Sequence, residues 1–97
     1  NSSATLTKKE LKNMTQKDIQ SEIDTNFTAS VNVAKYSYKY LKKSQGSLIL
    51  FTSSSYTRGR ANYSLYSSTK AGIVNFAEAI SNEWLKDEIK VNVINPA

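Results

Sequence analysis

The 97-residue chain contains no cysteine and no histidine, one proline and three glycines. Without cysteine there are no disulfides, thiolate metal sites or thiol nucleophiles. Without histidine there is no Ser-His-Asp triad, and carboxylates are the only strong metal ligands left, so no metal site is expected. Acid–base chemistry near neutral pH must then come from a group whose pKa its surroundings displace. The glycines stand at positions 46, 59 and 72, a spacing that contains no Gly-x-Gly-x-x-Gly. An apolar run of transmembrane length and a signal-peptide pattern are both missing, so a cytoplasmic location without membrane contact is expected.

What the chain does have is 39% hydrophobic residues and a net charge of +5. That suffices for one small domain with a modest core. Lysines cluster at Lys8, Lys9, Lys12 and Lys17, and again at Lys35, Lys39, Lys42 and Lys43. Interspersed acids and the absence of a nucleic-acid motif favour a solvated face, so no nucleic-acid partner is expected. Glycosylation sequons at Asn13, Asn26 and Asn62 lack a secretory context and read as chance.

The chain reads as helix, strand, helix, strand. Thr15 followed by Asp18 is an N-cap signal for a helix beginning near Gln16. Phe27, Val31, Ala34, Tyr38 and Leu41 are spaced four, three, four and three, which predicts one apolar helix face. That helix should end near Lys43, with lysines matching its dipole and Gly46 as the stop, and its length suggests a break near Asn26. "SLILFTS", residues 47–53, is continuously apolar without alternation and predicts a strand covered on both faces. From about Asn62 to Lys86 the pattern is helical again, with Ile73, Phe76, Ala77, Ile80 and Trp84 as its stripe. "KVNVIN", residues 90–95, predicts a short strand stopped by Pro96. Alternating strands and helices imply parallel pairing, and two such strands need further strands or association to bury their sheet.

On the second helix, Tyr66 and Lys70 lie four apart and therefore share a face. A free tyrosine has a pKa of about 10. An ammonium about 5 Å away, at an effective dielectric of about 20, favours phenolate by roughly 3 kcal/mol, enough to make a tyrosine a useful acid–base group. Ser53, at the end of the first strand, delivers a hydroxyl to the same region, because ligands of open α/β sheets bind beyond the carboxyl ends of strands. It could orient a substrate carbonyl. A lone Tyr-x-x-x-Lys pair is common by chance. Joined to a serine thirteen residues before the tyrosine and a second strand ending in Asn-Pro, it forms an ordered constellation.

These residues resemble the short-chain dehydrogenases/reductases. "YSSTKAG" is similar to the family's Tyr-x-x-x-Lys signature, "GSLILFTSSS" to the strand carrying its serine, "VNVINPA" to the segment ending in Asn-Pro-Gly, "NSSA" to Asn-Asn-Ala-Gly, and "DTNFTA" to the helix bearing its asparagine. The resemblance implies a partial Rossmann-like, doubly wound parallel sheet in an α/β fold, with residues 1–97 as its central to C-terminal segment. It implies Tyr66 as general acid and Lys70 as the residue that lowers the tyrosine's pKa and binds the nicotinamide ribose. Ser53 would hold the substrate oxygen, with Ser54 and Ser55 as competitors. Asn26 would hold a water linking Lys70 to solvent, Asn1 would help position the cofactor ribose, and Asn95 and Pro96 would approach the nicotinamide.

Two departures stand out: Ala4 and Ala97 replace the glycines of the first and last motifs. The family's glycine-rich loop should precede residue 1, so the chain is expected to be a fragment of a longer reductase. Within the family, "LFTSSSYTRGRANYSLYSSTKAGIVNFAEAISNEW" looks most like the reductase domain of bacterial proteins that fuse a cytidylyltransferase to a short-chain reductase. This implies NADPH, with NADH as the alternative, and a small-molecule carbonyl substrate: ribulose 5-phosphate reduced to ribitol 5-phosphate for CDP-ribitol and capsule or wall polymers. Arg58 and Arg60 suit a phosphate, although two arginines beside a glycine are unremarkable and a solvated loop is the favoured bland explanation. The resemblance further suggests a homo-oligomer through the two long helices, where Gly72 and Ala71 would allow close approach. The competing reading is a non-catalytic fragment or assembly module of the same fold.

Overall fold

The computed structural model describes residues 8–52, 59 and 61–95. After a 3-10 turn at Leu11–Asn13 come helix α1 (Gln16–Ile23), a π-helical turn (Asp24–Thr28) and helix α2 (Ala29–Ser44). Strand β1 (Ser47–Phe51), helix α3 (Ser64–Glu83), a second 3-10 turn (Leu85–Asp87) and strand β2 (Lys90–Ile94) complete the order.

Helix α1 starts as its sequence predicts. The Thr15 hydroxyl accepts from the Asp18 amide at 3.0 Å and the Asp18 carboxylate accepts from the Thr15 amide at 3.0 Å, a capping box that satisfies two otherwise orphaned donors. Lys9 adds an ion pair to Asp18 at 2.8 Å, and this bond together with the Thr15 amide holds the Asp18 carboxyl below its ordinary range. The expected break near Asn26 is the π turn, where one extra residue per turn is accommodated without ending the helix.

The stop of α2 differs from expectation. Gln45, not Gly46, takes the left-handed conformation (φ 54°), and the amides of both residues donate to the Leu41 carbonyl. No described glycine has positive φ. Gly46 matters through space: a Cβ there would lie 3.1 Å from Ser44 Oγ and 3.2 Å from Leu41 Cδ2.

The two strands pair in parallel, with Leu48 beside Val91 and Phe51 beside Ile94, and α3 makes the crossover. One face of this sheet packs Leu48 and Leu50 into a core with Ala34 of α2, Ile73, Ala77 and Ile80 of α3, then Trp84 and Ile89. The aromatic edge of that core is an edge-to-face pair of Phe27 and Phe76 with centroids 6.2 Å apart, and Tyr38 tilted against Trp84. Ile49 on the opposite face is 47% exposed, and Ile94 is exposed with it. The continuous apolar run of β1 therefore alternates in burial. Among the described residues, both long helices contribute to the Leu48 and Leu50 side, and nothing comparable covers the other.

Gly72 makes a close contact within the chain. Its missing Cβ would fall 3.1 Å from the Phe27 ring, so its small size lets the π turn sit against α3 within one chain. No described helix is long and apolar enough to cross a membrane.

Candidate active site

The parallel pairing sets the carboxyl ends of β1 and β2 side by side, the edge at which open α/β sheets receive ligands. Thr52, immediately after β1, joins three elements there. Its amide donates to the Ile94 carbonyl at 3.0 Å, and its buried hydroxyl donates to the Lys70 carbonyl at 2.8 Å. The register of both strand ends is thus tied to the second turn of α3. Asn95 follows β2 at this edge and is exposed.

Helix α3 opens after Tyr63 and carries Tyr66 in its first turn, half-buried. The Thr69 hydroxyl donates to the Tyr66 carbonyl at 3.0 Å. Lys70, one turn on, is only 7% exposed, with its Nζ 5.8 Å from the centroid of the Tyr66 ring. The face shared by i and i+4 is therefore realised, with the ammonium beside the aromatic ring. Burial pulls the Lys70 pKa down from its ordinary value, and the Glu22 carboxylate opposes that shift.

Asn26 sits inside the π turn, buried to 1% exposure, and this turn packs against α3. Glu22, the single buried residue of α1, precedes Asn26 by one turn and is fully buried. The structure thus gathers Tyr66 and Lys70 on α3 and brings the π turn holding Asn26 against the same helix. Ser53, its competitors Ser54 and Ser55, Arg58, Arg60, Asn1 and Pro96 lie outside the described residues.

Sequence reasoning passed over Thr52 and Glu22. Thr52 stood beside the serine run and was absorbed into the strand. Glu22 carried a usable signal, a carboxylate four residues before the asparagine, but a glutamate in a helix ordinarily faces water. Among the described residues, no cluster of acids could hold a metal ion.

A parallel αβ crossover whose carboxyl edge meets a Tyr-x-x-x-Lys helix is the frame of a short-chain oxidoreductase, and the chain belongs to the short chain dehydrogenase family, whose model matches residues 1–97. It is 49% identical over 96 residues to the bifunctional ribulose 5-phosphate reductase/CDP-ribitol pyrophosphorylase Bcs1 of Haemophilus influenzae, covering 99% of this chain and 20% of that protein. A tropinone reductase homolog of Datura stramonium is 33% identical over 97 residues, covering 99% of this chain and 36% of that protein. The chain thus spans a minor part of the curated relatives it matches. In fold it is similar to 4-hydroxyisoleucine dehydrogenase complexed with NADH and succinate, with a TM-score of 0.90 over 98% of this chain and 45% of that one, at 18% identity.

Proposed function

We propose that these residues form the catalytic part of an NADPH-dependent carbonyl reductase acting on a sugar phosphate, converting ribulose 5-phosphate to ribitol 5-phosphate for CDP-ribitol and surface-polymer synthesis. The observation that carries this reading is the buried Lys70 beside Tyr66, fixed to the carboxyl end of the sheet by Thr52. The similarity to Bcs1 supports the substrate.

The residues present suit a nicotinamide cofactor: a desolvated ammonium and a strand-end asparagine flank the edge where the fold family places one. When bound, that group supplies hydride to the carbonyl carbon. Tyr66 gives the phenolic proton to the carbonyl oxygen as negative charge develops there. Lys70 holds positive charge beside the phenol and donates hydrogen bonds to a ribose, Asn26 orders a water for return of the proton from solvent, and Ser53 orients the substrate oxygen.

The test is NADPH oxidation by the complete protein with ribulose 5-phosphate, compared with unphosphorylated ribulose. Replacing Arg58 or Arg60 by Ala should raise the Michaelis constant for the phosphorylated sugar by about tenfold or more, the value of a charge-assisted contact, and change little for ribulose. Equal effects on both sugars defeat the phosphate assignment.

The mainly apolar groove between α2 and α3, about 390 Å³ and lined by Val31, Ala34, Tyr38, Phe76, Ile80 and Trp84 together with the charged Lys35 and Glu83, supports packing of a second copy along these helices. Light scattering should then report a dimer or larger, and a monomer at micromolar concentration removes this part of the reading.

A further inference from the structure

We propose that Glu22 is a positioning residue for Lys70: its carboxylate, buried between α1 and α3 one turn before Asn26, holds the lysine in its charged form within a site that water barely reaches. The inference deepens the reductase reading and rests on it for the role of Lys70.

The geometry begins with three burials. Glu22 is 0% exposed, Asn26 1% and Lys70 7%, and α1, the π turn and α3 pack against one another around them. An ammonium withdrawn from water tends to shed its proton. A neutral lysine could neither place positive charge beside a phenol nor give three hydrogen bonds. A carboxylate in the same dry space reverses that tendency, and Glu22 acts on Lys70 in this sense.

Among the described residues, the other charges near the pair are directed elsewhere. On α1, Lys17 is exposed and Asp18 is paired with Lys9. In the π turn, Asp24 is exposed and its carboxylate accepts from the Gln20 side-chain Nε2 at 2.9 Å. On α3 the titratable groups nearest Lys70 in sequence are Tyr66 and, at the cap, Tyr63. Strand β1 has no titratable side chain, the Lys90 side of β2 lies at the opposite end of the strand, and Asp87 of the second 3-10 turn is tied to Tyr38 and Lys42.

A purely structural ion pair would give the same burial, so the test reads protonation. In the complete protein labelled with 13Cε-lysine, the Lys70 resonance, assigned by its loss in Lys70→Arg, is titrated without cofactor or substrate. Glu22→Gln keeps the shape and removes the charge. The Lys70 midpoint should fall by on the order of one pH unit or more. Should Glu22→Gln fail to fold, Glu22→Asp, which keeps the charge on a shorter arm, should still move the midpoint downward.

In the reductase assay the alkaline limb of the pH–rate profile should move by the same interval, and Glu22→Asp should restore part of it. An unchanged Lys70 midpoint in the folded variant overturns the proposal, as does a uniform fall in rate with an unmoved alkaline limb. The titration needs no turnover, so a protein inactive on ribulose 5-phosphate whose midpoint still shifts rejects the substrate and keeps the Glu22 assignment.

Discussion

Replacing Tyr66 by Phe should lower carbonyl reduction by about 10²- to 10⁴-fold, the range associated with loss of a positioned general acid. Only the hydroxyl goes. The ring stays half-buried in the first turn of α3 with the Lys70 ammonium above it, so circular dichroism and melting temperature should be nearly unchanged. Cofactor affinity, read by quenching or transfer of NADPH fluorescence, should hold within a few-fold. A loss of turnover with intact binding separates proton donation from assembly of the site. Retained turnover would place the acid elsewhere, and an equal loss of binding would mean that the hydroxyl organises the pocket instead of reacting.

Lys70→Ala should do more. Beyond reduced turnover, cofactor affinity should fall by about 10- to 100-fold, since hydrogen bonds to a charged group are each worth about 1.5–3 kcal/mol. An unchanged affinity would contradict the ribose role. Stability has a definite sign as well. The folded state holds the Lys70 proton less tightly than the unfolded chain, whose lysines titrate near 10.5, so burial of the ammonium costs stability throughout the pH range below the folded value. That cost disappears as pH rises through the folded value toward 10.5. In Lys70→Ala this pH dependence is absent, while Glu22 is left buried without its opposite charge, and the melting temperature near neutral pH should drop.

The elements that sequence made legible are those governed by local chemistry. Thr15 and Asp18 cap α1 because a hydroxyl and a carboxylate three residues apart can serve both orphan amides, whatever the rest of the chain does. The stripe from Phe27 to Leu41 and the stripe from Ile73 to Trp84 follow from helical period, and both face the core. The interruption near Asn26 was legible as excess length.

Features set by distant neighbours were not legible. Ile49 is as apolar as Leu48 and Leu50, and only the placement of α2 and α3 decides that it faces outward. Gln45 takes the left-handed position because the helix ends at Ser44, two residues before the glycine, a shift that composition alone does not resolve. Of the site, the Tyr66 and Lys70 pairing followed from spacing. The Thr52 link to Lys70 spans 18 residues, and the burial of Glu22 depends on the approach of α1 to α3, so neither could be read locally.

The π turn sets the phase between two halves of one continuous rod. It carries Asn26 itself; upstream, it orients Glu22, and downstream, Ala34, Tyr38 and Leu41. Each residue of an α-helix advances the side-chain direction by about 100°. Deleting one residue between Asp24 and Thr28 would leave an unbroken helix with one half turned by about that angle. Either the polar pair or the apolar stripe could then face α3 and the sheet, but not both. The surplus residue is therefore what allows a single helical segment to serve the candidate site at one end and a hydrophobic core at the other.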